Sequence, residues 1–340
     1  MKRMIAGVLS AAVMLCAASL SGCFEKTFML GGEEIDRYAS EIHLKDVKIT
    51  SLDDLKGCEE LTALSLENCE LTDISALSEL KTLRKLTLRG NHITDISPLR
   101  GLSELQVLTI SSNAITDISP VMSLSHLTYL DIGANPIDDL TAAAELEQLE
   151  TLYADETAVT DISPLEGMDI TSLYLGSDAV SDLAPLEGLE RLHTLDLYST
   201  GLTDISVLGS LTQLRELYIG DNPGITDFSP LSKLSKLEIL YAENCAITDV
   251  SPFTGMEQLS ELVLTNDAVP DIKPLSSVST LKKLNIEGDY AVSKENVGEF
   301  MDALPSCEVT HSDLKTAIEI EMLDPKKAFD TDLEHELGLK

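Results

Sequence analysis

Between Ala39 and Asp302 the chain repeats one pattern of apolar and polar positions about twelve times at a period of 22 residues. One unit reads Leu83-Arg-Lys-Leu86-Thr-Leu88-Arg-Gly-Asn91-His-Ile93-Thr-Asp95-Ile96-Ser-Pro98-Leu99. Aligned on the first apolar residue, the units begin at Ala39, Leu61, Leu83, Leu105, Leu127, Leu149, Ile170, Leu192, Leu214, Leu237, Leu259 and Leu281. The unit at Leu149 is one residue short, and the unit at Leu214 carries one extra residue within Asn222-Pro223-Gly224-Ile225. A repeat of this length cannot bury its apolar face alone, so stacked units must share one continuous core. A single elongated solenoid is therefore expected rather than two globular domains.

Positions 1 to 6 of each unit alternate apolar and polar residues, the period of a strand with one buried face. Stacked units pair these strands into one parallel sheet, and Leu304 to Val309 supplies a thirteenth strand. Position 9 holds Asn, Cys, Thr or Asp, whose side chain turns inward to satisfy backbone groups of the adjacent turn. The stretch that follows, Ile-Ser-Pro-Leu, is too short for a long helix and predicts one or two turns of 3₁₀ or short α-helix on the back. An aspartate recurs at position 13, as Asp73, Asp95, Asp117, Asp139, Asp161, Asp182, Asp204, Asp227, Asp249 and Asp271. A column of carboxylates suggests calcium, but Asp before Ile-Ser-Pro is better read as an N-cap. No metal and no cofactor are expected.

The motif Leu-x-x-Leu-x-Leu-x-x-Asn-x-Ile-Thr-Asp-Ile-Ser-Pro-Leu resembles the short leucine-rich repeat of the bacterial internalins over roughly residues 39–303. The resemblance implies an α/β solenoid, a right-handed superhelix with a parallel concave β-sheet and short 3₁₀ or α turns on the convex side. It also implies binding of a protein or glycan through the concave face. The chain departs from the cell-wall-linked members by carrying a lipobox at its front and no wall-sorting signal at its end.

That front segment has Lys2 and Arg3, an apolar stretch from Met4 to Leu20, and then Leu20-Ser21-Gly22-Cys23. The tetrapeptide resembles the bacterial lipoprotein lipobox, which implies a signal peptide over residues 1–22 and lipidation of Cys23. A lipid-anchored, outward-facing protein of the bacterial cell envelope is expected. Residues 23–38 then read as a lipidated tether and N-terminal cap, with Phe24, Phe28 and Ile35 available to cover the first coil. At the far end Ser293 to Pro305 reads as a longer, Ser-capped helix with Val297, Phe300, Met301 and Leu304 on one stripe. Residues 304–340 complete a final strand, C-terminal cap and tail.

The formal net charge of −34, from 58 acidic and 24 basic residues, argues against nucleic acid as a partner. Cys58, Cys69, Cys245 and Cys307 show no metal-ligand spacing and read as buried free thiols. No nucleophile, P-loop or paired-carboxylate motif stands out from the repeat, so no catalytic residue is expected.

Positions 3, 5 and 7 of each unit point outward from the sheet. Six of the chain's eight tyrosines fall on these positions in six successive coils: Tyr129, Tyr153, Tyr174, Tyr198, Tyr218 and Tyr241. At about 4.8 Å per strand they would form a stripe of roughly 25 Å. Asp131, Asp155, Glu156, Asp196, Glu216, Asp221, Glu243 and Glu261 interleave with them, while the earlier coils present Lys45, Lys85 and Arg89. Clustered outward aromatics are the composition of an interaction hot spot. The sequence thus predicts a monomeric, non-enzymatic binding module that engages a protein or glycan through this stripe. The alternative is an envelope assembly factor that docks a neighbour through its ends or convex side.

Overall fold

In the computed structural model the described residues are 26–312. Cys23, Phe24, the proposed signal peptide and most of the tail lie outside them. The chain opens with an antiparallel hairpin, β1 (Thr27–Leu30) and β2 (Glu33–Asp36). Phe28 and Leu30 are buried against the first coil, and Ile35 packs beside them. The sequence reading made this stretch a tether with a cap; the structure makes residues 27–36 a folded hairpin, because Gly31 and Gly32 adopt φ of 60° and 88° and close the turn.

Thirteen strands follow in one parallel sheet whose spatial order matches chain order. They are β3 (Glu41–Lys45), β4 (Ala63–Glu67), β5 (Lys85–Thr87), β6 (Val107–Thr109), β7 (Tyr129–Asp131), β8 (Thr151–Tyr153) and β9 (Ser172–Tyr174). The rest are β10 (Thr194–Asp196), β11 (Glu216–Tyr218), β12 (Ile239–Tyr241), β13 (Glu261–Val263), β14 (Lys283–Ile286) and β15 (Glu308–His311). Register holds position by position: Leu130 pairs Leu152, then Leu173, Leu195, Leu217 and Leu240. These leucines are fully buried, and each contributes about 1.5–3 kcal/mol by leaving water. The last strand begins at Glu308, four residues later than the Leu304 start read from the sequence.

Two devices turn each coil. The first is position 8, which lies in the left-handed region in all twelve units, from Asp46 at φ 57° to Gly288 at φ 79°. Only Gly90 and Gly288 are glycine there; Ala134 and Glu156 accept the strain of roughly 1 kcal/mol or more. In return the position-8 N–H of the first eleven coils donates to position 7 of the next coil, as Ala134 does to the Asp155 carbonyl at 2.8 Å, and that of Gly288 donates to the Ser312 hydroxyl. The second is position 9. Asn135 accepts from the Ile115 N–H at 3.0 Å and donates to the carbonyls of Ile110, Ile132 and Gly133. Asn91, Asn113 and Asn222 repeat the pattern.

The convex returns are 3₁₀ turns such as Ser97–Gly101, with one short α-helix, α1 (Thr141–Ala144). All ten repeat aspartates accept the N–H two residues on, as Asp95 does from Ser97 at 2.7 Å. Their role is as expected but their place is not: the cap position itself holds Ile96 and its equivalents, and the aspartate stands one residue earlier. The final helix α2 (Lys294–Ala303) is capped by the Ser293 side chain, which accepts from the Asn296 N–H. Val297 and Phe300 are buried as read, whereas Met301 turns outward at 44% exposure. Cys58, Cys69, Cys245 and Cys307 are all buried and unpaired.

Candidate binding surface

The alternating burial of each strand sets which side chains meet solvent. From β5 to β12 the middle residue of each strand is buried and its neighbours are at least partly open. The β-pairing then aligns position 5 across coils as Asp131, Tyr153, Tyr174, Asp196, Tyr218 and Tyr241.

The tyrosines form two groups where the sequence suggested one continuous stripe. Tyr153 and Tyr174 stack with ring centres 3.9 Å apart and planes 6° from parallel, and Tyr129 leans on Tyr153 at 5.5 Å. Tyr218 and Tyr241 form a second pair at 5.2 Å. Asp196 separates the groups because it holds the position-5 place between Tyr174 and Tyr218. Tyr198 joins neither: it sits at position 7, is the most exposed of the six, and its hydroxyl donates to Asp221. The Tyr241 hydroxyl donates to Glu261 at 2.8 Å, and the Tyr218 hydroxyl to Glu216 at 3.3 Å.

Counting positions 3, 5 and 7 over the six tyrosine coils gives six tyrosines, five carboxylates and no lysine or arginine. The carboxylates are Asp131, Asp155, Asp196, Glu216 and Glu243. None of the ion pairs among the described residues includes any of them. Burial pushes the carboxyls of Asp131, Asp155, Asp196 and Glu243 above their ordinary range. Neighbouring acids add to this for Asp155, beside Asp131 and Asp196, and for Glu243, beside Asp221 and Asp196. Burial likewise pushes the Tyr129 and Tyr218 hydroxyls up to about 12. The surface is therefore aromatic, anionic and partly desolvated; Arg89 lends Asp131 a counter-charge, while Asp155, Asp196 and Glu243 sit in no ion pair.

Three glycines went unnoticed in the sequence. Gly133, Gly176 and Gly220 occupy position 7 of alternate coils, and none has a positive φ. Their value is space. A Cβ on Gly220 would come within 2.6 Å of the Glu243 carboxylate carbon. One on Gly133 would stand 3.0 Å from the Asp155 carbonyl and 3.2 Å from its carboxylate, and one on Gly176 would stand 3.3 Å from the Asp196 carboxylate. The signal was available as an alternation of glycine with Asp155, Tyr198 and Glu243 at one repeat position.

Comparison with known proteins matches this geometry to its sequence. The family described as Leucine Rich repeats (2 copies) matches residues 81–121, 103–145 and 190–233. An internalin of Listeria monocytogenes, inlF, superposes with a TM-score of 0.73 at 28% identity, covering 84% of this chain and 86% of that one. A leucine-rich-repeat protein of Leptospira interrogans superposes at 0.51 with 18% identity over 80% of this chain and 90% of its own. A plant peptide hormone receptor, RGFR1, in complex with RGF2 does so at 0.57 with 16% identity, covering 75% and 48%. The latter two likenesses are of fold alone. No curated protein matches the sequence. By its repeat and its architecture, the chain is a leucine-rich-repeat solenoid similar in structure to the Listeria internalins.

Proposed function

We propose that this chain is a non-enzymatic, monomeric binding protein of the bacterial envelope that engages a protein partner through its strand face. The observation that carries the reading is the concentration of all six strand-face tyrosines in coils 5 to 10, together with five carboxylates and no cation. Packing accounts for tyrosine in a strand, since cross-strand aromatic pairs stabilise a sheet by up to about 1 kcal/mol each. It does not account for a desolvated acidic surface around them. Aromatic anchors beside partly dehydrated charges are what a partner buries at the centre of an interface.

Replacing Tyr153, Tyr174, Tyr218 and Tyr241 with Ser tests the reading. Crosslinkers placed on the strand face of intact cells should capture a partner from the parent protein and lose it in the quadruple variant. Capture that persists with the fold intact would overturn the reading. Anchorage rests on the lipobox alone and is tested separately: fatty-acid label should enter the parent and not Cys23→Ala.

A second reading, docking through the ends, draws on one observation. Met29 and Tyr38 beside the first coil and Tyr290 and Met301 beside the last are large apolar side chains 44–58% exposed. Loss of capture on replacing these four residues, with the tyrosine variant unaffected, would favour an assembly factor.

A further inference from the structure

We propose that Asp155, Asp196 and Glu243 form three seats for arginine or lysine side chains of the partner protein, each floored by a glycine of the preceding coil and walled by tyrosine rings. This deepens the reading above and rests on it.

The seats are Asp155 over Gly133, Asp196 over Gly176 and Glu243 over Gly220. Each glycine has an unexceptional backbone, so the missing side chain answers a need for room and not for a turn. The room is taken by a carboxylate that sinks toward the sheet. Asp196 keeps one hydrogen bond, from the Tyr198 N–H at 2.8 Å. Glu243 Oε2 is sealed from solvent and has no partner at all. An anion held this way has already lost water, so much of the desolvation that weakens surface ion pairs is complete before a cation arrives.

The walls favour the same occupant. Tyr174 and Tyr218 stand on either side of Asp196, Tyr153 shares a strand end with Asp155, and Tyr241 and Tyr198 both lie close enough to Glu243 to feel its charge. A guanidinium stacks on tyrosine while its N–H groups meet a carboxylate, a pairing open to no neutral group. The surrounding coils offer no competitor, because cations appear on the strand face only before coil 4 and again at Lys283. Seats on alternate strands lie about 9.6 Å apart. A polyproline II segment repeats every three residues, or about 9.3 Å, so cations at every third residue match the pitch.

The test uses a peptide of three Arg-Pro-Pro triplets as probe, with binding followed by calorimetry. Removing the three charges together, as Asp155→Asn, Asp196→Asn and Glu243→Gln, should weaken binding at least about tenfold. A control changes the overall charge equally at exposed positions outside the strands, Glu104→Gln, Glu147→Gln and Glu190→Gln, and should leave binding within about twofold. Gly220→Ala, which fills one floor with no backbone strain, should also weaken it. Equal loss in the seat and control variants would reduce the effect to bulk charge and overturn the proposal, as would no loss in either or an unfolded Gly220→Ala with an unaffected seat variant. If the seat variant binds as the parent does while strand-face crosslinks still capture a partner, the cation seats fail and the binding reading stands.

Discussion

The convex returns and the strand face carry the same chemical group and treat it in opposite ways. Asp95 and Asp117 on the convex side are held below the ordinary carboxylate range, first by the N–H of Ser97 and Ser119 and then by the serine side chains. Asp155 and Asp196 on the strand side are pushed up by burial. The pattern extends inward to position 9, where Asp178 and Asp267 replace asparagine and are pushed up by burial to about 7 and about 6. Each has one carboxylate oxygen buried without a partner. The convex column shows a carboxylate used as structure. The inner ones show carboxylates used on one side only: one oxygen of Asp178 and of Asp267 accepts backbone N–H groups of the preceding coil, and the other is buried at a cost.

The largest test of that contrast is to move an inner acid to where an amide works. Asn135→Asp removes donors to three buried carbonyls and should lower stability at pH 8 by about 3 to 5 kcal/mol, read by denaturant unfolding. The reverse change, Asp178→Asn, should raise stability at pH 8 by about 2 to 3 kcal/mol and do little near pH 4. The sign follows from the raised value. The folded chain keeps a proton at Asp178 that the unfolded chain loses near pH 4, so stability falls as pH rises from about 4 to about 7 and is level beyond. Asp155 and Glu156 near Asp178, and Asp289 near Asp267, push in the same direction. A parent protein with a flat profile across that window would remove the distinction between the inner positions.

Smaller effects come from the convex column. Asp95→Ala should lower the melting temperature, because the Ser97 N–H loses its acceptor, while leaving strand-face binding unchanged. A binding defect there would mean the two sides are not independent. Smallest is Arg191→Ala: the Arg191–Asp169 pair lies on the exposed surface, and its loss should not shift the melting curve measurably.

Much of this was legible because the repeat does the placing. Once Leu130 and Leu152 were aligned, the partners of Tyr153 and the inward turn of Asn135 followed. Position 8 is only partly legible: Asn68, Gly90, Asn244 and Asn266 carry its signature, whereas Ala134 and Glu156 do not and are held left-handed by the neighbouring coils alone. Gly176 looked like any turn residue, because its reason lies one coil away in the Asp196 carboxylate. Tyr198 belongs to the stripe by sequence, since position 7 points outward, and only its hydroxyl bond to Asp221 shows that it leans elsewhere. Met301 was misplaced by the rotation of a single helix, which one turn of apolar spacing does not fix.

Position 9 holds Thr157, Asp178 and Thr200 in coils 6 to 8 and Cys245, Asp267 and Asp289 in coils 10 to 12, so two runs of three coils lack the amide that ties each turn to the one before. A stack joined only through nearest neighbours separates where adjacent contacts are weakest. Under tension applied to its two ends, this molecule should part within one of these runs before it parts at coils 3 to 5, where Asn91, Asn113 and Asn135 join the turns. Tyr153 and Tyr174 lie within the first run, and Tyr218 and Tyr241 lie beyond it. A partner gripping both groups would splint the first run and leave coils 10 to 12 as the place that parts first.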